Sequence, residues 1–192
     1  MAQSNRKLTN SVLYLLKGCP TRPGVTQLLK MLYYADYWHY RRHLSPITGE
    51  TYVALERGPV LDDYRAKFER METEQVFARE RVPVEGQPLP KEEFVPKMDP
   101  DESVFTETEL ETLDEVIKIC GHLTGLALSH RTHREAPWVF AWDPMNPGQK
   151  IHYMTFRWLD NLPDEDELKI AKQTVVEAGL TPRVRELAEA AA

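Results

Sequence analysis

Three side chains that could bind a metal ion follow one another at helical spacing: Asp36, His39 and His43. Residues at i, i+3 and i+7 share a helix face, so a carboxylate and two imidazoles could converge on zinc. The structural alternative is a buried Asp36 that accepts hydrogen bonds from a neighbouring loop, with both histidines at the helix rim. A zinc site would also need a further ligand and second-shell partners, and no HExxH motif supplies a base. We predict the structural role, no metal ion, and a metal-dependent hydrolase only as the alternative function.

A second polar group, Ser129 with His130 and His133 and then Glu135, invites comparison with a catalytic triad. Adjacent helical residues diverge by about 100°, so Ser129 and His130 cannot act as nucleophile and base, whereas Ser129 and His133 could meet. No GxSxG elbow presents a nucleophile. We therefore predict no triad, and His133 joins the alternative hydrolase cluster.

The sequence also lacks common motifs for nucleotide binding and for redox chemistry. It contains no GxGxxG, GxxxxGK[ST] or CxxC. Cys19 and Cys120 lie among apolar residues, which raise a thiol pKa, so we expect two reduced, unreactive cysteines. These observations predict a non-enzymatic protein without a cofactor.

The first cluster lies in a stretch, residues 28–60, that predicts a long helix, a tight turn, a short strand and a Gly-Pro stop. The helix should run from Thr26, as its N-cap, to His43, and it is apolar or aromatic almost all round, which is typical of a central helix wrapped by others. We place Asp36, His39 and His43 on its more buried half. Its outer side carries Lys30, Tyr34, Tyr37 and Arg41. The aromatic residues there are either covered by flanking helices or exposed as a hot spot for a protein partner, and the candidate set is Tyr34, Tyr37, Tyr40 and Arg41.

Other elements follow from periodicity and from Gly and Pro positions. Helices are predicted over 8–17, 61–71, 107–120 and 125–134, with a capping box at Thr106 and Glu109 and with Pro137 and Trp138 closing the last. Strands over 52–56, 76–82 and 94–97 should form a small three-stranded antiparallel sheet, the last two as a hairpin around Gly86. The fold class is α+β and predominantly helical, in one domain over residues 1–192.

Composition limits the partners and the compartment. A net charge of −6 argues against direct nucleic-acid binding, which depends on Lys and Arg, and favours a protein partner. No apolar run reaches the length of a membrane span, and the N-terminus does not resemble a secretory signal. We expect no membrane association and a cytoplasmic protein.

Four motifs occur in an order that resembles the Panacea domain, the SocA-like antitoxin family that includes GepA-type phage-associated proteins. They are LKMLYYAD at 29–36, ITG at 47–49, GPV at 58–60 and LSHRTHREAPW at 128–138. The resemblance extends over residues 8–162, and residues 163–192 are expected to form a C-terminal helical extension.

The resemblance implies a bacterial antitoxin, associated with prophages, that binds and neutralises a cognate toxin protein. It also implies a possible role as a proteolytic adaptor that delivers the toxin to an AAA+ protease or unfoldase. No helix-turn-helix candidate lies outside the core, so the resemblance does not extend to promoter repression. The motif positions that carry over, most of them types that hold turns and cores, are Asp36, Gly49, Tyr52, Gly58, Pro59, Ser129, His133, Pro137 and Trp138.

Overall fold

The computed structural model describes residues 3–83 and 90–158. The helices are α1 (Gln3–Gly18), α2 (Val25–His43), α3 (Tyr64–Thr73), α4 (Glu107–Cys120), α5 (Gly125–Thr132) and α6 (Ala136–Ala141). The strands are β1 (Tyr52–Leu55), β2 (Gly58–Leu61), β3 (Phe77–Val82), β4 (Lys91–Pro96) and β5 (Gln149–Ile151), with 3₁₀ turns at Glu102–Val104 and Tyr153–Trp158. The predicted turn at Gly86 and the predicted C-terminal extension (163–192) lie outside the described residues.

The chain divides into two compact units, one made of Met1–Glu50 with Leu61–Leu128, the other of Thr51–Val60 with Ser129–Ala192. The first unit contains α1 to α4 and the β3–β4 hairpin. The second contains the β1 strand, its partner β5, and α6. The single domain over residues 1–192 stays a prediction. No helix in the described part of the chain combines the length and hydropathy needed to span a bilayer.

The predominantly helical α+β class and a small three-stranded antiparallel sheet are confirmed, but the membership of that sheet is not as predicted. Its order is β2-β1-β5, with Tyr52 opposite Ile151. The strands β3 and β4 form a separate two-stranded sheet, in which Phe77 lies opposite Pro96. The edge of β4 that faces away from β3 bonds to the chain before α2, because the Phe94 N–H donates to the Pro23 carbonyl at 3.2 Å. Among the described strands, β1 lies in the middle of the three-stranded sheet, between β2 and β5.

The helix α2 is central, as its composition predicted. Every residue from Gln27 to His39 is buried. The predicted outer face is therefore wrong for Lys30, which is fully buried like the rings beside it. Those rings pack against each other along the helix, with Tyr33 and Tyr37 stacked at 5.6 Å between ring centroids and Tyr34 tilted against Trp38 at 5.2 Å.

The start of α2 differs from the prediction. Its N-cap is Gly24, with no side-chain cap, so Thr26 lies inside the first turn rather than at the cap. A Cβ on Gly24 would lie 2.9 Å from the Glu92 carbonyl oxygen, closer than side-chain carbons approach backbone oxygens. A larger residue could not fit without a shift where the chain entering α2 passes β4, so this position favours glycine.

Two proline positions were also assigned wrongly. Gly58 and Pro59 do not stop the strand region, because they begin β2, and α3 consequently starts at Tyr64 rather than at Leu61. Pro137 does not close a helix; it occupies the first turn of α6, where the missing N–H would have no helical acceptor. At Pro137, therefore, proline sits where the backbone needs no donor.

The capping box of α4 is present as predicted, and its glutamate also forms an ion pair with α1. The Thr106 hydroxyl accepts from the Glu109 N–H at 3.3 Å, and Glu109 Oε2 accepts from the Thr106 N–H at 2.9 Å. The other oxygen, Oε1, lies 2.5 Å from Lys7 Nζ on α1. One half-buried ion pair therefore joins the start of α4 to α1.

Replacing Thr106 with alanine should lower the free energy of unfolding by about 1 kcal/mol, because the Glu109 N–H loses its acceptor. Urea denaturation followed by circular dichroism measures the change. The control is Glu111→Ala, an exposed position on the same helix, which should stay within about 0.5 kcal/mol of wild type. Equal midpoints for the two variants would show that the cap contributes nothing.

Candidate functional site

Asp36 is fully buried in the middle of α2, and both carboxylate oxygens bind the turn that follows the helix. The Thr48 N–H donates to Oδ1 at 2.6 Å and the Thr48 hydroxyl donates to Oδ2. That hydroxyl in turn accepts from the Glu50 N–H at 3.2 Å. Gly49 has a φ of +69°, a left-handed conformation that favours glycine and lets the chain turn here. The contact between Asp36 and this turn was predicted, although its partner residue was not.

His39, one helical turn further on, is also held in place by hydrogen bonds. Its Nδ1–H donates to the Ser45 carbonyl at 2.5 Å, which leaves Nε2 to accept from the Thr108 hydroxyl at 3.2 Å. Burial of the ring lowers the pKa of His39 below 6.5, so the neutral form is favoured. The neighbouring ring of His43 lies 4.6 Å away between centroids and is exposed, so its predicted place on the buried half of α2 is wrong.

The polar side-chain atoms of Asp36 and His39 all have hydrogen-bond partners within the protein. Both oxygens of Asp36 accept from Thr48, and both ring nitrogens of His39 have partners. In the described part of the chain, no three His, Cys, Asp or Glu side chains are grouped so that they could hold a metal ion. The geometry of this cluster is that of a structural network.

The candidate partner-binding set separates into buried and accessible members. Tyr34 and Tyr37 are fully buried, so their assignment to an exposed surface is wrong. They pack within the ring cluster of α2, which is the alternative that the sequence left open. Tyr40 is half-buried and Arg41 is exposed. The accessible part of the set therefore lies at the C-terminal end of α2.

The second unit contains an aromatic stack built on α6. The Trp138 ring stacks on His133 at 4.3 Å and on Trp142 at 5.3 Å between centroids. Its indole Nε1–H donates to the Leu55 carbonyl at 2.9 Å, which ties α6 to β1. Ser129 is buried, and its carbonyl accepts from the His133 N–H at 3.1 Å. The bond between Ser129 and His133 is therefore one between backbone atoms, and the His133 ring itself packs against Trp138.

A family model described as "Antitoxin SocA-like, Panacea domain" matches residues 28–139, which is more than half of the chain. The chain belongs to this family. A comparison with curated proteins and another with solved structures found no match. The residues matched by the family model begin within α2 and end within α6. They include the Asp36 network, and His133 and Trp138 of the aromatic stack.

The motif positions of this Panacea domain are largely buried. Tyr52 lies on β1 and is 1% exposed, while Gly58 opens β2 with a φ of +94° and is followed by buried Pro59. The structure assigns Asp36 and Gly49 to the first unit. The second unit holds the remaining motif positions: Tyr52, Gly58, Pro59, Ser129, His133, Pro137 and Trp138.

Sequence reasoning missed several partners of these residues. The W-x3-W spacing of Trp138 and Trp142 was a usable signal, since residues four apart meet on a helix. The contact between Thr108 and His39 had no such signal in the sequence, because the two residues are 69 positions apart in the chain. The expected high thiol pKa is confirmed for Cys19, where burial raises the pKa to about 11.

Asp36→Ala should lower the free energy of unfolding by about 2–4 kcal/mol, because the buried N–H and O–H of Thr48 would both lose their acceptor. Thr48→Val, which removes only the hydroxyl, should have a smaller effect. Glu69→Ala, at an exposed position on α3, is the matched control in urea denaturation. An Asp36→Ala midpoint equal to that of Glu69→Ala would contradict the structural role of this carboxylate.

The lowered pKa of His39 makes the stability depend on pH. Below pH 6.5 the unfolded chain binds this proton more readily than the folded one, so stability should fall as the pH drops through 6.5 and level off below the folded-state pKa. Denaturation of wild type and His39→Gln between pH 8 and 5 isolates this component, which the variant should lack. NMR titration of the His39 ring at or above 6.5 would refute it.

Proposed function

We propose that this protein is the antitoxin of a toxin–antitoxin pair and that it acts in the cytosol by binding and neutralising a protein toxin. The observation that carries the proposal is the family match over residues 28–139. The net charge of −6 supports a protein partner rather than a nucleic acid.

The chemistry of the polar cluster on α2 agrees with a binding protein. Both carboxylate oxygens of Asp36 accept hydrogen bonds from Thr48, and the two ring nitrogens of His39 bind Ser45 and Thr108. A catalytic acid or base needs an atom within reach of a substrate, and these atoms are engaged inside the protein. We infer that the network positions the surface around α2 and takes no part in a reaction.

We infer that the motif residues stabilise the fold and that other residues, at the surface, contact the toxin. The motif residues hold turns and cores, as the burial of Asp36, Tyr52 and Pro59 indicates. Toxin contact requires accessible side chains, so we assign it to the C-terminal end of α2, where Tyr40 and Arg41 are accessible.

Neutralisation has two possible modes. In the first, bound antitoxin covers the working surface of the toxin. In the second, the antitoxin is an adaptor that delivers the toxin to an AAA+ protease or unfoldase. The toxin half-life distinguishes them, because delivery shortens it in the presence of this protein and occlusion does not.

Induction of the adjacent gene's product should arrest growth, and co-expression of this protein should restore growth and co-purify that product. Asp36→Ala, which weakens the fold, should lose both effects, and Glu69→Ala should retain them. Measuring toxin decay after translation is stopped then assigns the mode. Failure of the wild-type protein to bind the product or to restore growth would refute the proposal.

A further inference from the structure

Leu44, the residue that ends α2, has an unfavourable backbone conformation for its type. Its φ of 57° and ψ of 21° are left-handed, and its N–H donates to the Tyr40 carbonyl at 2.8 Å. This position at a helix end favours glycine, because a Cβ crowds the backbone there. Among the described residues, the other non-glycine residues with positive φ are Asp63 and Gln75, which are polar. Leu44 is the apolar exception.

Leu44 also gains little from burial. Its side chain is 76% exposed, so it contributes little apolar burial to the core. Glycine would relieve the backbone, and a polar residue would suit the solvent. A strained backbone together with an exposed apolar side chain is the combination that functional positions retain at the expense of stability.

The structure around Leu44 is fixed rather than loose. Directly after Leu44, the Ser45 carbonyl accepts a hydrogen bond from buried His39, and a few residues further on Thr48 donates to buried Asp36. The segment that follows Leu44 is therefore tied back to α2. A side chain carried on a fixed backbone loses less entropy on binding than one on a flexible loop.

The charges beside Leu44 indicate the chemistry of its partner. Residues 41–45 are all exposed, and Arg41, Arg42 and His43 precede the leucine. Arg42 pairs with Glu115 through its Nη1. With Arg42 in that ion pair, the exposed guanidinium of Arg41 favours a partner that carries acidic side chains at this place.

We propose that Leu44 is an anchor of the toxin-binding surface. It inserts into an apolar pocket on the toxin, and acidic side chains at the rim of that pocket face Arg41. This inference rests on the proposed function and names the surface that performs it. It adds Leu44, the C-cap of α2, to the accessible pair Tyr40 and Arg41.

The test uses the 192-residue protein, immobilised on a surface. The adjacent gene's product is made by cell-free translation and titrated against it. Leu44→Gly should weaken binding by at least about 10-fold, as loss of an apolar anchor does, while the melting temperature is not lowered. Leu44→Met should retain binding, and Arg41→Glu should weaken it. Leu126→Ala, which alters another exposed leucine, should bind like wild type.

The outcomes separate this inference from the proposed function. If the wild-type protein binds and Leu44→Gly binds equally well, the anchor is refuted and the antitoxin function stands. If the wild-type protein does not bind, both are refuted. If Leu44→Gly instead abolishes self-association in sedimentation experiments and leaves toxin binding intact, the occupant is a second copy of the chain and the proposed partner is wrong.

Discussion

A carboxylate buried in the middle of a helix must find hydrogen-bond donors, and Asp36 accepts from both the N–H and the hydroxyl of Thr48. This requirement fixes the turn after α2 against the helix that precedes it. Because His39 binds Ser45 in the same segment, the chain from residue 39 to residue 49 is tied to α2 at two points. The turn at Gly49 and the exposed corner at Leu44 both depend on these two attachments.

The same attachments give hydrogen-bond partners within the protein to a cluster that looks catalytic in sequence. Asp, His and Thr are the residue types of both active sites and buried hydrogen-bond networks, and what separates them is whether an atom remains for a substrate. The Asp36 and His39 atoms are engaged within the protein. Rigidity at a helix end is useful to a binding protein, because a pre-organised surface loses less entropy when a partner docks.

Features encoded locally were the most predictable. The capping box at Thr106 and Glu109 needs only four residues, and the approximate spans of α2 and α4 follow from apolar periodicity. The family could be recognised from four short motifs in order. The contact of Asp36 with its turn was predictable too, since a buried carboxylate needs donors and the nearest irregular segment supplies them.

The sequence by itself thus determined the class of the fold, the family, the central helix and the contact of Asp36 with its turn. Each follows from short motifs or from residues that are near one another in the chain. Tertiary structure alone decided which strands pair: β1 lies beside β5, with Tyr52 opposite Ile151, and nothing in local composition selects that partner. It also decided that Tyr34 and Tyr37 are buried while Leu44 is exposed. Burial is a property of whatever packs around a residue, and a helix that is aromatic on every side does not reveal which side is covered.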